Sequence, residues 1–174
     1  MRTVSKITYL LPAFLAFAWI VSQSSCGVYR FSEAGAVADS IKTVKVSYIE
    51  NRAQYVNPQL SPRLTDKLRQ KIVGQTKLTQ TNNDNADWVI TGYVKDYTFS
   101  TSSISGQQAS NNRLTVTIHI TKNSNKEDKT DEYDVSRSFE FKSNKTFQQA
   151  EIDLADEMIR TLTDEIFNKL FSDW

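Results

Sequence analysis

The sequence predicts an α/β (α+β) two-layer sandwich, a mostly antiparallel four-stranded sheet with two helices packed on one face. Three observations predict it. Several segments alternate apolar and polar residues with period two, the mark of one-sided strands. Two others repeat apolar residues every three to four positions, the mark of amphipathic helices. Their order is strand, helix, strands, helix, which gathers the helices on one side of the sheet. The chain divides into residues 1–25, a cleaved lipoprotein signal peptide; 26–40, a lipidated N-terminus and tether; and 41–174, a single sandwich domain.

Lys42 to Tyr48 alternates, with Val44, Val46 and Tyr48 on one side and Thr43, Lys45 and Ser47 on the other, and reads as a half-buried strand. Glu50 to Gln59 is polar and reads as a turn region. Ser61-Pro62 then predicts a helix start, with Ser61 as the N-cap and Pro62 at the first helical position. Leu60, Leu64, Leu68 and Ile72 fall on one face of that helix, and Gly74 is its expected stop. Lys77 to Thr81 reads as a further short strand.

Trp88 to Phe99 reads as a long strand with Trp88, Ile90, Gly92 and Val94 facing one way. Ser100 to Asn112 is rich in Ser, Gly, Gln and Asn and reads as an exposed loop. Arg113 to Thr121 has the cleanest alternation. Leu114, Val116, Ile118 and Ile120 face in; Arg113, Thr115, Thr117, His119 and Thr121 face out. Lys122 to Glu132 reads as a charged hairpin loop. Tyr133 to Phe141 is the return strand, its apolar stripe of Tyr133, Val135, Phe139 and Phe141 broken by Arg137. Phe147 to Phe171 closes the domain as an amphipathic helix, with Leu154, Ala155, Met158, Ile159, Leu162, Ile166, Leu170 and Phe171 on its inner face. At 1.5 Å per residue it runs on the order of 35 Å, enough to cross the sheet.

The N-terminus carries export chemistry. Arg2 and Lys6 give a positive start, Ile7 to Val21 is almost wholly apolar, and Ser24-Ser25 precedes Cys26. That is the layout of a secretory signal with a small-residue cleavage site. A transmembrane helix needs about 20 apolar residues; this run is shorter and contains Pro12. Cys26 is the single cysteine, so it has no internal disulfide partner, and the first residue of the cleaved chain is where bacteria attach acyl chains such as palmitate. Gln23 departs from the common lipidation motif, where a branched apolar residue stands. Gly27 is not an acidic inner-membrane retention residue.

Charge and composition narrow the function. Without Arg2 and Lys6 the 21 basic side chains fall to 19 against 20 acidic ones, a mature net charge of about −1. No field of one sign points to nucleic acid. With 39% hydrophobic residues and only 5 glycines and 3 prolines, the chain can bury a core. His119, the only histidine, sits among threonines with no cysteine or second histidine to build a metal site. No serine lies in a nucleophile-elbow pattern. Asp153, Asp156 and Glu157, and Asp164 with Glu165, cluster on a helix with Arg160 and Lys169 nearby and read as a solvated surface with i,i+4 pairs. Asn144-Lys145-Thr146 matches a glycosylation sequon by chance. The expected protein is not an enzyme and needs no cofactor. The binding surface left over is the polar sheet face: Tyr93, Tyr97, Arg113, Thr115, Thr117 and His119, with the neighbouring segment Ser103 to Asn112.

An ordered set of segments is similar to one known family. Cys26-Gly27-Val28-Tyr29-Arg30-Phe31 resembles the mature N-terminus of the lipopolysaccharide-assembly lipoprotein LptE, in its Bacteroidota form. Asn57-Pro58-Gln59-Leu60-Ser61 before Leu64-Thr65-Asp66-Lys67-Leu68 follows, then Ala86-Asp87-Trp88-Val89-Ile90-Thr91-Gly92. Asn112-Arg113-Leu114-Thr115-Val116 and Ile166-Phe167-Asn168-Lys169, with Trp174, complete the set. The resemblance implies an outer-membrane lipoprotein facing the periplasm that plugs the lumen of an LptD-type β-barrel, helps it assemble, and serves lipopolysaccharide insertion into the outer leaflet. Lipopolysaccharide itself is a candidate ligand; no family motif assigns its contacts to positions here. The alternative is a periplasmic lipoprotein that regulates a cell-wall synthase or serves as a subunit of a secretion complex. A lipid carrier would need an apolar cavity beyond what one helix layer fills.

Overall fold

The computed structural model describes residues 37–171, save Asp39 and residues 106–107; at 101–105 and 108–110 it describes the backbone alone. Cys26 and the tether from Gly27 to residue 36 lie outside the described residues. The elements, in chain order, are β1 (Thr43–Val46), β2 (Glu50–Asn51), α1 (Leu60–Gln75), β3 (Thr79–Gln80), β4 (Trp88–Ser105), β5 (Gln108–Ser124), β6 (Lys129–Lys142) and α2 (Phe147–Phe171).

They build one six-stranded sheet in the order β3-β1-β4-β5-β6, with β2 also beside β4. The α+β class is as expected. The sheet is mixed rather than mostly antiparallel and four-stranded: β1 runs parallel to both β3 and β4, and β2 parallel to β4. The two long ladders, β4–β5 and β5–β6, are antiparallel. Parallel neighbours need a crossover, and α1 supplies it between β2 and β3.

Both helices lie against one face. Val44, Ile90, Val94, Leu114, Val116, Ile118 and Ile120 face α1's Leu64, Leu68 and Ile72 and α2's Met158, Leu162 and Ile166 in one core, each at most 2% exposed. A side chain of this kind contributes about 1.5–3 kcal/mol on full burial. The four-residue spacing read from α1 is thus its buried stripe. α2 spans the predicted residues, with Leu154 and Ala155 only half-buried at its first turns.

Several local expectations change. Tyr48 does not continue the inward stripe of β1: the strand ends at Val46, Tyr48 is 53% exposed, and Ile49 is buried in its place. Arg69 of α1 closes that strand end with two hydrogen bonds to the Val46 carbonyl. The Ile49 N–H donates to the Thr65 hydroxyl, which tethers the break to α1. Ser61 is not the N-cap. The helix begins at Leu60 after Gln59, which makes no side-chain cap, while Asn57 Oδ1 accepts the Gln59 N–H. Gly74 is not the stop either. The helix runs to Gln75 and ends at Thr76, whose N–H and hydroxyl both donate to the Ile72 carbonyl.

The expected Ser100–Asn112 loop is mostly strand: Thr101 pairs with Asn112 and Ser105 with Gln108. Turn-forming residues lose to a hairpin whose ladder is already running. The Lys122–Glu132 loop shrinks likewise, because Ser124 pairs with Lys129 and leaves a four-residue turn ending at Asp128, with φ 49°.

Candidate functional site: the open face of the sheet

The face of the sheet away from the helices is polar, and its side chains are ordered by strand register. Four alternate rungs of the β5–β6 ladder each form a side-chain pair on this face. Arg113 is ion-paired to Glu140 at 2.9 Å, and Thr115 meets Ser138 at 2.9 Å. Thr117 meets Ser136 at 3.1 Å, and His119 Nδ1 meets Asp134 at 2.7 Å. Residues opposite one another in a ladder carry side chains on the same side, so register alone makes these pairs.

The lattice continues across β4. The Lys95 ammonium donates to Asp134 at 2.9 Å. The Tyr93 ring lies 5.0 Å from the His119 ring, and the Arg52 guanidinium stands 4.6 Å over Tyr93 on its far side. Asp134 therefore holds two donors. Lys95 first and His119 second keep its carboxyl below the usual range, and Asp134 in turn pushes the Lys95 ammonium up. Neutral hydroxyl pairs occupy the middle of the face, and charged pairs flank them.

Five of the six expected surface residues come together here: Tyr93, Arg113, Thr115, Thr117 and His119. Tyr97 does not. The ladder slips between Val94 and Asp96, where β4 carries an extra residue, and the side chains from Tyr97 to Ser100 change face. Tyr97 is consequently buried, 4% exposed, on the helix side. Its hydroxyl donates to Glu151 of α2, which also accepts from Tyr55 and Asn57. Burial pushes the Tyr97 phenol far above its ordinary pKa. Arg52, Lys95, Asp134 and Glu140 were not singled out from sequence. The acids alternate along β6, but which of them faces His119 or Arg113 is fixed only by the ladder.

A second surface lies at the opposite layer. A groove of about 430 Å³ runs between the start of α1 and the first half of α2, lined by Leu60, Ile152, Met158 and Ile159 among others. Beside it Tyr55 stacks on Tyr97 and meets the edge of Phe147, which also meets Phe99. Phe99 and Ile152 remain 48% and 71% exposed.

His119 has carboxylates for neighbours, with Glu132 at 4.0 Å on its other nitrogen. Among the described residues no group of His, Cys, Asp and Glu is arranged to hold a metal ion, and no helix is long and apolar enough to cross a membrane. The open face offers donors and acceptors held in fixed rows.

The family profile described as LptE, Lipopolysaccharide-assembly, matches residues 41–170. No curated protein matches the chain in sequence. Among solved structures it is similar to an uncharacterized lipoprotein B from Nitrosomonas europaea, with a TM-score of 0.54 at 12% identity over 82% of this chain and 88% of that one. A rare lipoprotein B from Shewanella oneidensis gives a TM-score of 0.48 at 13% identity, covering 74% and 93%. A minor lipoprotein from Acinetobacter baumannii gives 0.47 at 15% identity, covering 76% and 94%.

Proposed function

We propose, from the premise that this chain belongs to the LptE lipopolysaccharide-assembly family, that it is an outer-membrane lipoprotein anchored through Cys26 on the periplasmic side. Its role lies in lipopolysaccharide assembly; the finer reading is that it plugs an LptD-type β-barrel and helps that barrel assemble. It acts by binding, not by catalysis, and uses no cofactor.

The observation that carries this reading is the open face. A barrel lumen is wet and lined by alternating polar side chains. A plug inside it needs a broad polar surface that is already ordered, so that docking costs little side-chain entropy. The Arg113–Glu140, Thr115–Ser138, Thr117–Ser136 and His119–Asp134 rungs form such a surface. Its hydroxyl rows are satisfied internally and can still accept or donate a further bond.

The test is a mild-detergent pull-down of the tagged protein from outer membranes, with mass spectrometry of what accompanies it. A large β-barrel at near-equal stoichiometry is the expected companion. The double variant Arg113→Glu, Thr117→Lys places new charge on the face and should lower barrel recovery on the order of tenfold. Unchanged recovery would remove the open face from the interface. Recovery of a cell-wall synthase or a secretion complex in place of a barrel would favour the regulator or subunit reading instead.

A further inference from the structure

Glu151, on the second turn of α2, holds a carboxylate that its neighbours orient but do not neutralise. Its Oε1 accepts from the Asn57 amide at 2.9 Å and from the Tyr97 hydroxyl at 2.8 Å, and its Oε2 accepts from the Tyr55 hydroxyl at 2.9 Å. All three donors are uncharged. The ion pairs nearby are complete without it: Arg63 is joined to Asp156 and Lys145 to Asp153, and among the described residues no cation is paired with Glu151. The Tyr55 phenol is held above its ordinary range, first by the bond it donates to this carboxylate. A carboxylate offers about four lone-pair sites. Three are taken, and the one left is on Oε2.

That carboxylate lines the groove between α1 and α2, where Leu60, Ile152 and Ile159 supply apolar wall. The charged residues of the lining are Arg63, Glu151 and Asp156, one positive against two negative, a net charge of −1. The start of α1 does not reverse that sign. The N–H groups of Leu60 and Arg63 already go to the Asn57 and Gln59 carbonyls, and Pro62 has none, so little of the helix-terminal donor set remains for an anion. Ile152 on the wall is 71% exposed. The groove, at about 430 Å³, has room for a few side chains.

We propose that this groove docks a partner protein through a basic-apolar segment: an arginine or lysine whose cation meets Glu151, next to an apolar side chain that covers Ile152. Charge selects this occupant. One cation neutralises the groove, and its methylene stem can lie along the apolar wall while the head reaches the carboxylate. The three neutral donors fix that carboxylate in advance, so docking costs little of its side-chain freedom. An anionic lipid headgroup would instead bring a further negative charge to Glu151 and Asp156, and its acyl chains would find an open groove rather than an enclosed channel. The groove lies on the helix layer, away from the open polar face, so the proposal does not rest on the barrel-plug reading.

The full-length protein in mild detergent tests it by fluorescence anisotropy with a short labelled peptide, an arginine between two leucines with serines at its ends. Saturable binding is expected in the micromolar to millimolar range. Citrulline in place of the arginine keeps the shape without the charge and should weaken binding about tenfold. Glu151→Gln should weaken the arginine peptide to a similar degree and leave the citrulline peptide nearly unchanged, a coupling that a merely structural Glu151 would not show. Ile152→Lys, at an exposed position, sets a like charge beside the arginine and should weaken it too; it decides the matter alone if Glu151→Gln does not fold. No saturable binding of the arginine peptide, or equal binding of the citrulline peptide, would overturn the proposal. So would tighter binding of a matched glutamate peptide, or displacement of the arginine peptide by short-chain phosphatidylglycerol, which would assign the groove to an anion or a lipid.

Discussion

The two faces of β5 differ in what they do for the molecule. On one face Leu114, Val116, Ile118 and Ile120 are 0–1% exposed and packed under both helices. On the other, Arg113, Thr115, Thr117 and His119 meet partners on β6 while still touching solvent. Successive residues in one strand thus carry separate tasks. The first set stabilises the fold by burial, and the second presents an ordered surface at little net stability, because its pairs exchange water bonds for protein bonds of similar strength. Substitutions on the two faces should therefore be separable by measurement.

The largest effect is expected from Ile118→Ala. Ile118 is fully buried beside Leu162 and Ile166 in the same core. Removing its branched end should cost about 2–5 kcal/mol, the transfer term plus the cavity left behind. The readout is the urea midpoint at unchanged slope. A loss under about 1 kcal/mol would mean that the core face is not close-packed there.

A smaller cost is expected at Gly92, opposite Ile120. A Cβ at Gly92 would stand 2.6 Å from Ile120 Cδ1 and 2.7 Å from the His119 carbonyl oxygen. The methyl can shift; the backbone oxygen cannot without moving the ladder. Gly92→Ala should cost about 1–3 kcal/mol in thermal or urea unfolding. Adding Ile120→Val removes Cδ1 and should restore only part of that loss. Full restoration would show that the backbone contact is no constraint.

Much of the inner face was legible in sequence, because burial leaves a periodic record. The alternation of β5, the four-residue stripe of α1 and the span of α2 all come from that record. The outer face was legible only as far as register holds. Thr115, Thr117 and His119 follow from β5 alone, but their partners on β6 do not, since a register is a property of two strands. Tyr97 was misplaced because the extra residue at Lys95-Asp96 is polar on either face and tyrosine tolerates both. The Ser100–Asn112 stretch was misread because its residues favour turns locally, and strand pairing overrides that preference. The parallel strands were hidden for a further reason: β1 is only four residues long, and its partner β4 lies beyond a helix, where no local pattern records it.

The smallest stability effect should come from the open face, at Asp134→Asn. Asp134 bonds Lys95 and His119, yet its side chain is 46% exposed. Solvent screening keeps such contacts below about 1 kcal/mol. Their pH dependence identifies them even so. Lys95 and then His119 hold the carboxyl below its ordinary value of 3.8, so it stabilises the fold above that value and loses the contribution as pH falls through the lowered one. Wild type should exceed the variant slightly at neutral pH, and the difference should shrink as pH drops below 3.8. A difference that grows in acid would mean that the carboxyl titrates above its ordinary value, against the two donors on it. A marginal stability change joined to a large fall in barrel recovery would separate the two faces of the sheet most sharply, because Asp134 meets His119 and Lys95 on the open face.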